Sequence, residues 1–176
     1  SAAPTAINFG DDAATLTLAE FNALAGASIA LTTADTVALD AANSDDVSGI
    51  TLTGLDSIAV GSGETVTVAA GQVSLLNLTG TGKFVLNAAN SDDVSGVTLT
   101  GATSITVGNG ETVTVSIAQK SLVNASGSGA YNVKDTLANI ISESGGGSAT
   151  LNGAAAISVT LASGTEVATL TGLSAS

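Results

Sequence analysis

The residues best equipped for chemistry come as two copies of one cluster, Asn43-Ser44-Asp45-Asp46 and Asn90-Ser91-Asp92-Asp93. A hard cation such as Ca2+ asks for several oxygen ligands, and neighbouring carboxylates with amide and backbone carbonyls offer them. Asn43, Asp45, Asp46, Asn90, Asp92 and Asp93 are therefore the candidate metal ligands, with Ca2+ the candidate ion. Asp40 precedes the first cluster and Asn87 the second. The spacing of an EF-hand is absent. Asn, Ser and Asp also close turns by bonding nearby backbone N–H groups, and that turn role is the stronger expectation.

Other patterns point less far. Gly61-Ser62-Gly63-Glu64 and Gly108-Asn109-Gly110-Glu111 have the glycine spacing of a phosphate loop. Neither completes a dinucleotide fingerprint or carries a P-loop lysine, so both read as tight turns. The threonine pairs Thr51/Thr53, Thr65/Thr67, Thr98/Thr100 and Thr112/Thr114 are similar to the ranks on ice-binding surfaces, but threonine also simply suits strands. Asn77-Leu78-Thr79 and Asn124-Ala125-Ser126 are glycosylation-type sequons at equivalent positions, a coincidence that duplication alone would leave behind. With no His and no Cys, imidazole and thiolate chemistry is excluded, including nucleophile–histidine catalysis. A carboxylate pair for glycoside hydrolysis lacks the Arg and aromatic groups expected around a sugar. The expectation is that the chain is not an enzyme.

These residues sit in a repeat. AANSDDVSGITLTG begins at 41 and AANSDDVSGVTLTG at 88, 47 residues later, with Ile50 against Val97 as the one change. The likeness continues from SIAVGSGETVTV (57–68) to SITVGNGETVTV (104–115). The apolar pairs Ile29/Leu31, Val37/Leu39, Ile50/Leu52, Ile58/Val60, Val66/Val68, Val97/Leu99, Ile105/Val107 and Val113/Val115 alternate with small or polar residues, as half-buried strands do. Thr17-Leu18-Ala19-Glu20 has the form of a capping box, opening a short helical turn that carries Phe21 and Leu24. Hairpin signals are confined to Asn109-Gly110 and Asn152-Gly153. A period this long is the mark of stacked units. The expected fold is all-β, a parallel β-solenoid of stacked coils with short helical turns. One continuous array would fill 1–176: a half repeat at 5–40, repeats at 41–87 and 88–134, and a degenerate one at 135–176 that needs an insertion near Gly145-Gly146-Gly147.

Charge limits the partners. Fifteen carboxylates face only Lys83, Lys120 and Lys134, a net charge of −12. Nucleic acid and anionic lipid would be repelled. No apolar run approaches the roughly 20 residues of a membrane span. The chain opens at Ser1 without a basic-then-apolar leader, and is read as a mature form or a segment of something longer.

Tyr131-Asn132-Val133-Lys134-Asp135-Thr136-Leu137-Ala138-Asn139 resembles the Tyr-x-Val-x-Asp-Thr-x-Ala-Asn motif of repetitive bacterial surface proteins, and Val115-Ser116-Ile117-Ala118-Gln119 is similar to their Val-x-x-Ala-Gln segment. The family consists of large exported chains of adhesin or surface-layer type, often released by type I secretion. The resemblance implies an extracellular, β-rich repeat region. The glycine–aspartate nonapeptide that binds calcium elsewhere in such proteins is missing here, so that property does not carry over. The expected function is structural: a self-associating subunit of a surface layer, filament or adhesin stalk, partnered head to tail by its own copies or by neighbouring repeats of a longer chain. The alternative is a surface module binding calcium or polysaccharide.

Overall fold

A computed structural model describes residues 6–8, 13–24, 28–30, 36–52, 54–144 and 154–160. The chain divides into two compact units, Ser1–Val85 and Leu86–Ser176, a boundary that falls within two residues of the junction between the repeats 41–87 and 88–134.

The first unit contains β1 (Ala6–Asn8), β2 (Ala13–Thr17), α1 (Leu18–Ala23), β3 (Ser28–Ala30), β4 (Thr36–Ala41), β5 (Ser57–Val60), β6 (Thr65–Ala69), a 3-10 helix (Ala70–Leu75) and β7 (Leu76–Leu78). Strand β8 (Lys83–Ala88) straddles the division. β1 pairs with β3, and β2-β4-β5-β7 form a four-stranded sheet, all in parallel. Register sets like on like: Leu39 beside Ile58 and Ile58 beside Leu76, then Ala41 beside Val60 and Val60 beside Leu78. Alternate residues of β4, β5 and β6 are buried, namely Val37, Leu39, Ala41, Ile58, Val60, Val66 and Val68. That is the period-2 pattern of a strand with one face in the core.

The capping box forms as read. The Glu20 N–H donates to Thr17 Oγ1 at 3.3 Å, and the Thr17 N–H donates to Glu20 Oε2 at 2.9 Å, which satisfies two N–H groups at the start of α1. Phe21 is the residue the short helix buries.

The second unit contains β9 (Ala102–Val107), β10 (Thr112–Val115), a 3-10 helix (Ile117–Leu122), β11 (Val123–Ala125), β12 (Ala130–Thr136), α2 (Leu137–Ser144) and β13 (Ala154–Thr160). β9 pairs with β11, and β10-β12-β13 form a three-stranded sheet, again in parallel. Val133, Ile140 and Ala154 make a core against which Ile117, Tyr131 and Ile157 pack. Thus α2 is tied down by Ile140.

The expected all-β parallel β-solenoid is corrected by this arrangement. The strands lie in several short parallel sheets of two to four strands, with two α-helices and two 3-10 helices among the described residues, an α/β-like layout with no continuous solenoid. One physical reason is local. Apart from isolated parallel bridges at Asp46 and Asp93, the stretches 42–52, 54–56 and 89–101 are turn and irregular backbone rather than strand, so the ladders are interrupted where further strands were expected. Ile50/Leu52 and Val97/Leu99 are half-buried residues in that irregular backbone, while Val47, Leu55 and Val94 are the buried ones. Asn109-Gly110 turns the chain between β9 and β10 without pairing them, since the two strands join different neighbours. Residues 1–4, the glycine run 145–147, Asn152-Gly153 and the degenerate repeat beyond 160 lie outside the described residues.

Candidate functional site

The duplicated cluster is a turn fastened to a strand that starts 22 residues later. Asn43 Oδ1 accepts the Thr65 N–H at 3.0 Å, and the Ser44 N–H donates to the Thr65 carbonyl at 2.7 Å. The Asp45 N–H closes onto the Ala42 carbonyl at 3.1 Å, while Asp45 Oδ2 accepts the Ala42 N–H at 2.9 Å. Asp46 Oδ1 takes both the N–H and the hydroxyl of Ser48, at 3.0 and 2.7 Å. Backbone bonds from Thr67 N–H to the Asp45 carbonyl (2.8 Å) and from Val47 N–H to the Thr67 carbonyl (2.9 Å) complete the attachment. Ser44 sits at φ 71°, a left-handed conformation that short polar residues tolerate better than branched ones.

The second unit repeats this geometry bond for bond. Asn90 Oδ1 accepts from Thr112 N–H at 2.9 Å, Asp92 Oδ2 from Ala89 N–H at 2.8 Å, and Asp93 Oδ1 from the Ser95 N–H and hydroxyl at 3.1 and 2.6 Å. Ser91 holds φ 70°. All six candidate ligands therefore place one side-chain oxygen on a backbone N–H of the turn or its neighbour. Asn43, Asp45 and Asp46 come together in one turn, and Asn90, Asp92 and Asp93 in the other. Among the described residues no group of three or more acidic side chains gathers in one place. The chemistry visible in the donor set is turn closure.

The second cluster has one addition that spacing gave no hint of. Lys134 Nζ lies 2.7 Å from Asp93 Oδ2, across 41 residues of sequence, with both side chains nearly half exposed. An open cleft beside this pair is lined by Ser95, Gly96, Val97, Asp135 and Thr136. The lysine hydrogen bond holds the Asp93 carboxyl below its ordinary value, helped by the Ser95 hydroxyl and N–H and opposed by burial. For Asp135, burial pushes upward, but bonds from the Asn139 amide, the Ile117 N–H and the Thr136 N–H outweigh it and leave the carboxyl lowered. These bonds also give the Tyr-x-Val-x-Asp-Thr-x-Ala-Asn segment a structural role. Thr136 Oγ1 accepts the Asn139 N–H at 3.3 Å at the head of α2, and Asp135 Oδ2 accepts the Ile117 N–H at 3.0 Å.

The pH consequence follows from the signs. Glu20 is lowered by the Thr17 N–H and hydroxyl, and like Asp93 and Asp135 it binds its proton more weakly folded than unfolded. Their contribution is complete above the ordinary values, 4.5 for Glu20 and 3.8 for the aspartates, and is lost as pH falls through the lowered folded values. Lys134→Met isolates one part. Its cost at pH 7, below about 1 kcal/mol for a pair this exposed, should vanish in urea melts carried well below pH 3.8. A cost unchanged across that range would refute the assignment to the ion pair.

Two glutamines that sequence reasoning passed over prove central. Gln72 and Gln119 are the buried polar side chains among the described residues, at 9% and 7% exposure. Each sits in the first turn of its 3-10 helix. Gln72 Oε1 accepts the Ala69 N–H at 2.8 Å, and its Nε2 donates to the Val47 and Ile50 carbonyls at 2.8 and 3.0 Å. Gln119 does the same with the Ser116 N–H and the Val94 and Val97 carbonyls, each at 2.8 Å. The one available signal was Gln119's place in the Val-x-x-Ala-Gln segment. The glycine turns are closed by their glutamates: Glu64 Oε2 accepts the Gly61 N–H at 2.7 Å and Glu111 Oε2 the Gly108 N–H at 2.8 Å, with Gly63 and Gly110 at positive φ.

No helix among the described residues is long and apolar enough to cross a membrane. Compared with protein-family models, with curated proteins and with solved structures, the chain matches none.

Proposed function

We propose that this chain is a structural module of the cell exterior that associates with its own copies and performs no catalysis. The observation that carries the reading is the identical commitment of the polar side chains in both units. Asn43 and Asn90, Asp45 and Asp92, Gln72 and Gln119 all bond backbone groups, several of them 22 or 25 residues away. Polar groups engaged in this way hold chain segments in parallel register, like residue beside like residue. Parallel sheets expose edge N–H and C=O groups with which another copy can pair, and such heterologous contacts extend rather than close. The acidic balance of −12 keeps the chain soluble while it does so and disfavours nucleic acid. The exterior setting is supported by the surface-protein-like segments 115–119 and 131–139.

The test is light scattering of the full chain over a wide concentration range, followed by electron microscopy. Concentration-dependent growth into fibres or sheets is expected. A monomer at every concentration, with and without Ca2+, would overturn self-association. Calorimetric Ca2+ binding that disappears in Asp45→Asn and Asp92→Asn would instead favour a calcium-binding surface module.

A further inference from the structure

We infer that Asn77 and Asn124 are acceptor sites for N-linked sugar. Both open an Asn-x-Ser/Thr sequence, and both lie on short strands, β7 and β11, with the asparagine exposed. Duplication alone does not account for the match. Between 70–87 and 117–134 only six of eighteen positions agree: Gln72, Ser74, Leu75, Asn77, Gly80 and Gly82 with their counterparts. Gln72 is a buried bonding residue, Gly80 has φ 56°, and Gly82 lies against backbone oxygens, so three of the six have structural causes. The exposed side chains in this stretch that recur unchanged are Ser74 and Asn77.

Asn is a poor strand former, and among the described residues neither Asn77 nor Asn124 has a side-chain hydrogen bond that would explain its retention. The third residue keeps its hydroxyl while changing type. Thr79 Oγ1 donates to the Val60 carbonyl and Ser126 Oγ to the Val107 carbonyl, each at 3.2 Å. An exposed amide two residues before a hydroxyl, with a glycine turn directly after, is an accessible acceptor.

The reaction requires a sugar activated as a glycosyl diphosphate and a transferase. The asparagine Nδ2 forms a bond to the anomeric carbon, the bond from that carbon to the diphosphate oxygen breaks, and one amide proton passes to a base. The diphosphate leaves with the electron pair.

The test is mass analysis of proteolytic peptides from the full chain, purified from the cells that naturally make it. Sugar on Asn77 and Asn124 is expected, with near-complete loss at Asn77 in Asn77→Gln and in Thr79→Val, and retention in Thr79→Ser. Stepwise single-sugar increments indicate a nucleotide-linked donor, and one fixed oligosaccharide a lipid-linked donor. Unmodified asparagines, or sugar confined to Ser and Thr hydroxyls, would overturn the assignment even if every variant folds poorly, because the unaltered chain decides it. The result is independent of self-association, which the scattering experiment reads separately.

Discussion

Gln119→Ala should cost about 3–5 kcal/mol, a large share of the stability of an ordinary domain. The substitution strips partners from three backbone groups at once: the Ser116 N–H and the Val94 and Val97 carbonyls. Each buried group left unpaired costs about 1–3 kcal/mol. Gln72→Ala should behave alike through Ala69, Val47 and Ile50. Gln119→Glu sharpens the test. A carboxylate cannot donate to the two carbonyls, and its charge would face their oxygens, so its folded pKa must rise. Such a group costs nothing below its unfolded pKa of about 4.3 in charge terms, and the penalty grows as pH rises towards the folded value. The variant should therefore lose stability with rising pH, opposite in slope to the contribution of Asp93 and Asp135 in the unaltered chain. Urea melts between acid and neutral pH measure both. A loss under about 1 kcal/mol for Gln119→Ala would mean that water replaces the amide, and that the glutamine does not hold the Val94–Val97 turn to its 3-10 helix.

How far the sequence could be read depended on the range of the interactions. The Thr17–Glu20 box was legible because its partners are three residues apart and need only local backbone. Ile58/Val60, Val66/Val68 and Val113/Val115 were legible because alternation over a few residues decides which face is buried. Ile50/Leu52 failed for an instructive reason. They alternate equally well, yet Asp46 folds back on Ser48 and the Ile50 N–H on the Val47 carbonyl, so the turn that opens at Asn43 runs on through the stretch read as strand. The repeat showed that the two halves would resemble one another, and they do, cluster for cluster. It did not show how strands would be grouped. That depends on bonds such as Gln72 to Val47, across 25 residues, and on where each ladder stops. The clusters were legible as turns, because Asn, Ser and Asp bond nearby backbone N–H groups. The Asp45 bond to the Ala42 N–H is local, but the N–H that Asn43 would meet rested on the position of Thr65, 22 residues away.

Gly129→Ala should damage the second unit severely, at about 2–3 kcal/mol. A Cβ there would lie 2.7 Å from the Gly108 carbonyl oxygen and 3.0 Å from those of Ser126 and Val107. All three are backbone atoms, so no side chain can rotate to make room. Moving the chain instead would strain the Gly129 N–H bond to Ser126 (2.8 Å), the Ser126 N–H bond to Val107 (3.0 Å) and the Ala130 N–H bond to Glu111 (2.9 Å). Two further glycines of the same unit supply a scale. Gly110 has open space around its Cβ direction but φ 78°, so Gly110→Ala should cost about 1–2 kcal/mol from conformation alone. Gly96 has open space and no such φ, so Gly96→Ala should be neutral or stabilising by up to about 1 kcal/mol, because alanine narrows the unfolded ensemble. The order Gly96, Gly110, Gly129 in midpoint denaturant concentration is the expected result. If Gly129→Ala matched Gly96→Ala, the close approach of the chain entering β12 to the turn after β9 would be wrong, and with it the register that sets Val113 beside Tyr131 and Val115 beside Val133.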